Sequence, residues 1–242
     1  MNIRAYAFFA LPLLLIALLI RAPASLLAPV LADRSTNRLQ LVDAQGSLWS
    51  GAAGVSCVLP EGTAVNCGRW AWNLVPANLT HGRLSLLVRR QSAAESMLLS
   101  WTPAGLTVEN VAVTLPAALA GSIDGRVAAL RLGGRLQITS QALSGSAGEA
   151  RIVWQKMESG LLPGQAIGDH VVNVATTASG SNFTITSLTA PVVLSGGGSL
   201  ARDGQATIDV LATVDPKNTA LPPLLSLMGK EVAPGQFRFK MP

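Results

Sequence analysis

Arg126-Val127-Ala128-Ala129-Leu130-Arg131-Leu132-Gly133-Gly134-Arg135-Leu136-Gln137-Ile138 decides the fold. Leu130, Leu132, Leu136 and Ile138 alternate with Arg131, Gly133, Arg135 and Gln137, the period of two of a strand with one buried face. Residues 206–214 repeat it, with Ile208, Val210 and Val214 on one side and Thr207, Asp209 and Thr213 on the other. Strand character also marks residues 84–90, 96–101, 106–113, 150–154, 170–176, 182–188 and 192–194. Within 106–113 the apolar parity shifts from Leu106 and Val108 to Val111 and Val113, which predicts a bulge near Asn110. Gly, Pro, Asn and Ser punctuate the runs, as an antiparallel meander requires. Helical segments are short: 25–33, 116–120, and 222–228 stopped by Gly229. The expected fold is therefore mainly β, with antiparallel, strongly curved sheets, an N-terminal transmembrane helix and a few short helices.

An internal echo points to two duplicated halves. Ser50-Gly51-Ala52-Ala53-Gly54 returns as Ser144-Gly145-Ser146-Ala147-Gly148, preceded by Leu48 and Leu143. Trp70 and Trp72 follow the first copy and Trp154 the second, then Pro76 and Pro163. The halves fall at residues 39–140 and 141–242.

The amino terminus fixes the solvent. Arg4 precedes an almost wholly apolar run, residues 5–20, slightly short of the roughly 20 apolar residues that a membrane span needs. It reads as a cleaved secretory signal or a single anchor; Ala22 and Ala24 before Ser25 would suit cleavage. Arg21 directly after the apolar core favours the anchor, because a charge there is unusual in a cleavage region, and its side chain can snorkel to the headgroups. The layout is then a cytoplasmic tail at 1–4, a transmembrane anchor at 5–24, a juxtamembrane segment at 25–38, and the rest exported.

Cys57 and Cys67 are the only cysteines, with Pro60 and Gly62 supplying turn chemistry between them. In an oxidising compartment they are expected to close a hairpin loop as a disulfide, buried thiols being the alternative. A metal site would need two further ligands, and His81 and His170 stand alone in sequence. The chain is 49% hydrophobic and 13% charged, enough apolar material for a core and too much for a disordered linker. The net charge of +5 comes from scattered arginines with few aromatics, which argues against nucleic acid and suits either an anionic membrane surface or a solvated strand face.

Gly46-Ser47-Leu48-Trp49-Ser50-Gly51, followed by Trp70-Ala71-Trp72-Asn73-Leu74-Val75-Pro76, resembles the Gly-x-x-Trp-Ser-Gly and Trp-x-Leu-x-Pro pattern of type II secretion system protein N, also called general secretion pathway protein N. The family's layout of anchor, β-rich periplasmic region and late Gly-rich strands before a leucine-rich segment, here residues 221–229, is similar over the whole chain. The resemblance implies a single-pass accessory component of the bacterial inner membrane, with its bulk in the periplasm. It also implies support for export of folded proteins across the outer membrane through other secretion components, at the inner-membrane platform or the periplasmic gate. The motif positions Gly46, Leu48, Trp49, Ser50, Gly51, Trp72, Leu74 and Pro76 are structural residues, and both Trp49 and Trp72 are expected to be buried among small neighbours.

No catalytic, cofactor-binding or metal-binding residues are expected. Neither histidine has a Ser, Asp or Cys at motif spacing, and Ser195-Gly196-Gly197-Gly198-Ser199 lacks the Lys and helix of a phosphate loop. The rival reading is an anchored periplasmic phospholipid-binding or lipid-transfer β-groove, decided by whether the face of Leu130, Leu132, Ile208 and Val210 is covered or open.

Overall fold

A computed structural model of the chain describes residues 18, 20–59, 61–122, 128–215, 217–227 and 229–241. It forms two compact units, Met1–Val58 with Ala64–Ala94, and Leu59–Thr63 with Glu95–Pro242.

The first unit opens with a 3-10 turn at Ala24–Leu26 and helix α1 (Leu27–Arg34), then β1 (Leu39–Gly46), β2 (Ser50–Val58), β3 (Ala64–Leu74) and β4 (Leu84–Arg90). Successive strands pair antiparallel, with Gly51 opposite Trp72 and Trp72 opposite Val88. An eight-residue helix is too short to persist alone, and α1 is held by lying on β1. Ala24, Ala53 and Trp72 form the core here, with Leu27, Leu41, Ala44 and Val88 packed around them.

The second unit contains β5 (Ser96–Thr102), β6 (Gly105–Pro116), β7 (Leu132–Ser144), β8 (Gly148–Ser159), β9 (Ala166–Thr177), β10 (Gly180–Thr189), β11 (Val192–Ala201) and β12 (Ala206–Val214). Helix α2 (Pro222–Ser226), β13 (Lys230–Ala233) and β14 (Gln236–Met241) complete it. Strands neighbour one another in chain order until β14 pairs with β12 and leaves β13 at the edge. The residues around α2 bring Leu221, Leu224 and Leu225 onto one end of the sheet, in a core with Leu130, Leu132, Val192, Val214 and Phe237. Beyond that end an apolar row crosses the strands in register: Val113, Ile138, Ile152, Val172 and Ile185, then Gly196, Val210 and Phe239. The Gly-rich residues 195–199 lie within β11. A Cβ at Gly198 would lie 2.7 Å from the ring of Phe183, so the glycine makes room for that ring.

Several expectations are corrected. The sheets are not strongly curved into a closed form: in each unit the strand order is linear, and among the described residues the first strand does not pair with the last. The halves drawn at 39–140 and 141–242 meet inside the continuous strand β7, whereas the compact units divide between Ala94 and Glu95. The two copies of the echo are not equivalent. Residues 50–54 lie within β2, while residues 144–148 make the β7–β8 turn, closed by the Ser144 N–H and hydroxyl donating to the Ala147 carbonyl. Small residues suit both a close strand contact and a tight turn, so their recurrence specifies neither.

No helix among the described residues is long and apolar enough to cross a membrane. The expected transmembrane helix falls on residues 5–24, of which 5–17 and 19 lie outside the described residues, as does the tail at 1–4. Ala22 and Ala24 are buried against the first unit, so the expected anchor cannot extend through residue 24. The opening stretch also divides: Ala128 and Ala129 are helical, and the strand begins only at Leu132, after Arg131 turns at φ 47°. Residues 126 and 127 lie outside the described residues. At Asn110 the backbone takes φ 52°, and the β5–β6 register slips between Ser96 and Leu98 opposite it.

Candidate functional site

The β1–β2 turn of the first unit is densely hydrogen-bonded. Gly46 sits at φ 88°, where a Cβ would fall 2.5 Å from the Ser50 carbonyl oxygen. Ser47 then folds the turn on itself: its hydroxyl accepts from the N–H groups of Trp49 (3.3 Å) and Ser50 (3.1 Å), and its own N–H donates to the Ser50 carbonyl (2.8 Å).

Trp72 closes this turn from the facing strand. Its Nε1–H is shared between the carbonyls of Ser47 (3.2 Å) and Leu48 (3.1 Å), and the ring lies so close to Gly51 that a Cβ there would be 2.7 Å from it. The Leu74 N–H donates to the Trp49 carbonyl (2.6 Å), and the Ser50 hydroxyl donates to Asn73 Oδ1 (2.8 Å). Leu74 ends β3, and Pro76 opens the 3-10 turn Pro76–His81, a position that needs no N–H donor.

What the turn holds is the incoming chain. The Leu48 N–H donates to the Ala22 carbonyl (2.9 Å), Pro23 bridges Ser47, and Ala24, 1% exposed, packs on Ala53 and Trp72. Gly46, Leu48, Trp49, Ser50, Gly51, Trp72 and Leu74 are thus assembled into one clamp on residues 22–24, one residue after Arg21. Trp72 is 7% exposed, whereas Trp49 is only half-buried, short of the burial expected for it.

Cys57 and Cys67 are disulfide-bonded and buried at the other end of the β2–β3 hairpin. Trp70 packs beside them, its Nε1–H donating to the Cys67 carbonyl (2.9 Å) while the Arg90 guanidinium lies 5.7 Å from its ring centroid. Gly68 leaves the guanidinium space that a side chain would occupy. On β1 Asp43 accepts from Arg69 (2.8 Å), and this hydrogen bond, with one from Gln45, holds its carboxyl below the usual range. A bidentate Arg238 (2.8 and 2.6 Å) lowers Asp209 in the same way in the second unit.

The histidines are not brought together. His81 is exposed in the 3-10 turn. His170 is fully buried, with Nδ1 2.9 Å from the Ser187 hydroxyl, and burial pushes its pKa below the ordinary histidine value against a smaller raising effect of Asp169. A catalytic Ser-His pair needs a carboxylate on the second ring nitrogen. His170 Nε2 is buried without a hydrogen-bond partner among the described residues. Nor do any three His, Cys, Asp or Glu side chains among them form a group fit to hold a metal ion.

Sequence reading overlooked Ser47, Asn73, Ala22 and Pro23. A serine two and three residues before the N–H groups it binds was a legible turn signal. The pairing of residue 22 with residue 48 had no local signal.

In each unit the strands form an open antiparallel meander, the first unit clamps its own chain at residues 22–24, and among the described residues no catalytic constellation is assembled. The chain belongs to the protein N family of the type II secretion system, whose family model matches residues 37–240. It is accordingly an accessory component of that system, acting with other components of it, and is not an enzyme. No curated protein and no solved structure matches it.

Proposed function

We propose that the protein is held in the bacterial inner membrane as a single pass by the apolar run at residues 5–20, with both β units in the periplasm. There it supports export by contacting the inner-membrane platform or the periplasmic gate. The observation that carries this reading is the hydrogen bond from Leu48 to Ala22 with the burial of Ala24. It joins the first unit to the end of the apolar run with almost no free linker, as suits a part kept at a fixed height above the bilayer. The family motif is the device that does so, and the Cys57–Cys67 bond suits the oxidising periplasm. The test is deletion followed by complementation. Secretion substrates should accumulate in the periplasm without the protein and be exported again with the wild-type chain. Secretion that is unaffected by the deletion, or a mature protein starting near Ser25, would sink the proposal.

A second reading, phospholipid binding, is favoured by the apolar row Ile138, Ile152, Val172 and Ile185. These side chains are half-buried, and the contacts of their strands run chiefly to neighbouring strands. Leu130 and Leu132, by contrast, are covered by the core around α2. Mass spectrometry of the purified protein for stoichiometric phospholipid separates the two readings.

A further inference from the structure

We propose that the end of the first unit that receives the apolar run is seated in the headgroup region of the bilayer, with Trp49 and Leu79 as its interfacial anchors. This rests on the single-pass reading above.

Two connections share this end of the sheet. Residues 46–50 join β1 to β2, and residues 75–83 join β3 to β4, with Ser50 opposite Asn73 and the Val75 N–H donating to the Ser85 carbonyl. The first is bonded to Ala22, so both stand beside the point where the chain leaves the apolar run. Their composition is amphipathic. Leu79 projects from the 3-10 turn at 48% exposure, and Leu26, in the turn after Ala24, is 51% exposed. Trp49 is half-buried in a turn whose other tryptophan partner, Trp72, is fully packed. Exposed Arg21, His81 and Arg83 lie among them, and Asp and Glu are absent from both connections.

An indole that is neither in the core nor in open water, aliphatic tips beside it and arginines around it match the membrane interface. There amphipathic rings sit at headgroup depth and cations meet anionic lipid. The wider unit carries the same sign. From Arg21 to its end it holds seven arginines against two acids, Asp33 and Asp43, and Asp43 is already paired with Arg69. A protein partner would explain the exposed side chains, but not their place at the exit of an apolar run.

The sequence makes a clean test possible, because the first tryptophan of the chain is Trp49 and residues 1–48 contain none. Any tryptophan quenching by lipid therefore reports on the folded units. The full-length protein is reconstituted into vesicles of phosphatidylcholine and phosphatidylglycerol with bromine on the acyl carbons nearest the headgroup. Emission should be quenched, most of the quenchable emission should be lost in Trp49→Phe, and Leu79→Trp, at an exposed site that tolerates a ring, should add a quenched, blue-shifted component. Trp101→Phe, which removes an exposed indole of the second unit, should leave quenching in place. Quenching unchanged in Trp49→Phe together with an unquenched Leu79→Trp overturns the proposal, as does loss of quenching in Trp101→Phe alone. Failure of the protein to float with the vesicles in a density gradient would instead overturn the single-pass reading, and this proposal with it.

Discussion

The indole N–H of Trp72 is shared between the carbonyls of Ser47 and Leu48, some 25 residues earlier in the chain, and this contact fastens the facing strand to the turn that grips Ala22. Removing the ring removes buried area and leaves two carbonyls with one donor fewer. Trp72→Ala should therefore cost about 3–5 kcal/mol. Trp72→Phe should cost less, keeping most of the area and losing a hydrogen bond worth about 1 kcal/mol. Trp49→Ala, at a half-buried position, should cost clearly less than Trp72→Ala. Chemical unfolding of the three variants ranks them, and equal losses at Trp49 and Trp72 would contradict the packing described.

The two copies of the small-residue echo give a matched pair of glycines. A Cβ at Gly51 would fall 2.6 Å from the Gln45 carbonyl oxygen and 2.7 Å from the Trp72 ring, whereas one at Gly145 meets nothing within 4 Å. Gly51→Ala should destabilise by roughly 1–3 kcal/mol, as overpacking does. Gly145→Ala should change stability by less than about 0.5 kcal/mol. Similar effects at both positions would revive an equivalence that the fold denies.

These contrasts show what the sequence could carry. Alternation placed β12 at its observed bounds, because a strand with one wet face writes its period into the residues, and β-rich composition did the same for β4. β1, β2 and β3 were not read as strands. Their small residues, Gly51, Ala52, Ala53 and Gly54 among them, show no polar and apolar contrast although each of these four pairs across to β3. The motif residues were legible as a set, but their task was not, since it depends on residue 22 meeting residue 48. Trp49 and Trp72 looked alike for the same reason: local composition is similar, and only the β2–β3 register separates the packed ring from the half-exposed one.

Reduction offers a third measurement. The Cys57–Cys67 bond closes a loop with a sequence separation of 10, for which chain entropy gives about 2–3 kcal/mol of stabilisation. Cys57→Ser with Cys67→Ser, or a reductant in the buffer, should lower the melting temperature. The doubly substituted protein should be insensitive to that reductant. A wild-type melting temperature unmoved by reduction would remove the disulfide from the account.

His170 supplies a pH dependence with a definite sign. Its pKa is lowered in the folded state, first by burial, from an ordinary value of 6.5. Below that value the unfolded chain binds a proton that the folded protein does not. Stability is then lost as pH falls from 6.5 toward the folded pKa, and flattens again beneath it. Asp43 and Asp209 act in a lower window: their folded pKa values are depressed by Arg69 and Arg238, so their contribution is present above the ordinary carboxylate value and lost as pH falls through the folded ones. Stability curves from pH 7 to 5 for the wild type and His170→Gln should differ in slope, the variant being flatter. Identical slopes would exclude the histidine.

Ala24 tests the clamp itself. It is 1% exposed against Ala53 and Trp72, and it lies outside every strand ladder, so enlarging it should disturb the docking of the chain more than the pairing of β1 to β4. Ala24→Leu adds three carbons where the nearest space is already filled, and expulsion of the residue is the easier response because residues 22–24 are held mainly by the Leu48 hydrogen bond, the Pro23 bridge and this packing. The variant should lose about 1–3 kcal/mol. Trypsin should then cut faster at Arg34 and Arg38, which flank α1 and the start of β1, while cleavage in the second unit stays at the wild-type rate. If fixed height above the bilayer is what the machinery uses, secretion should fall in this variant even where the protein accumulates normally. Normal secretion by a chain whose α1 region has become protease-sensitive would show that the clamp stabilises the fold but does not position it.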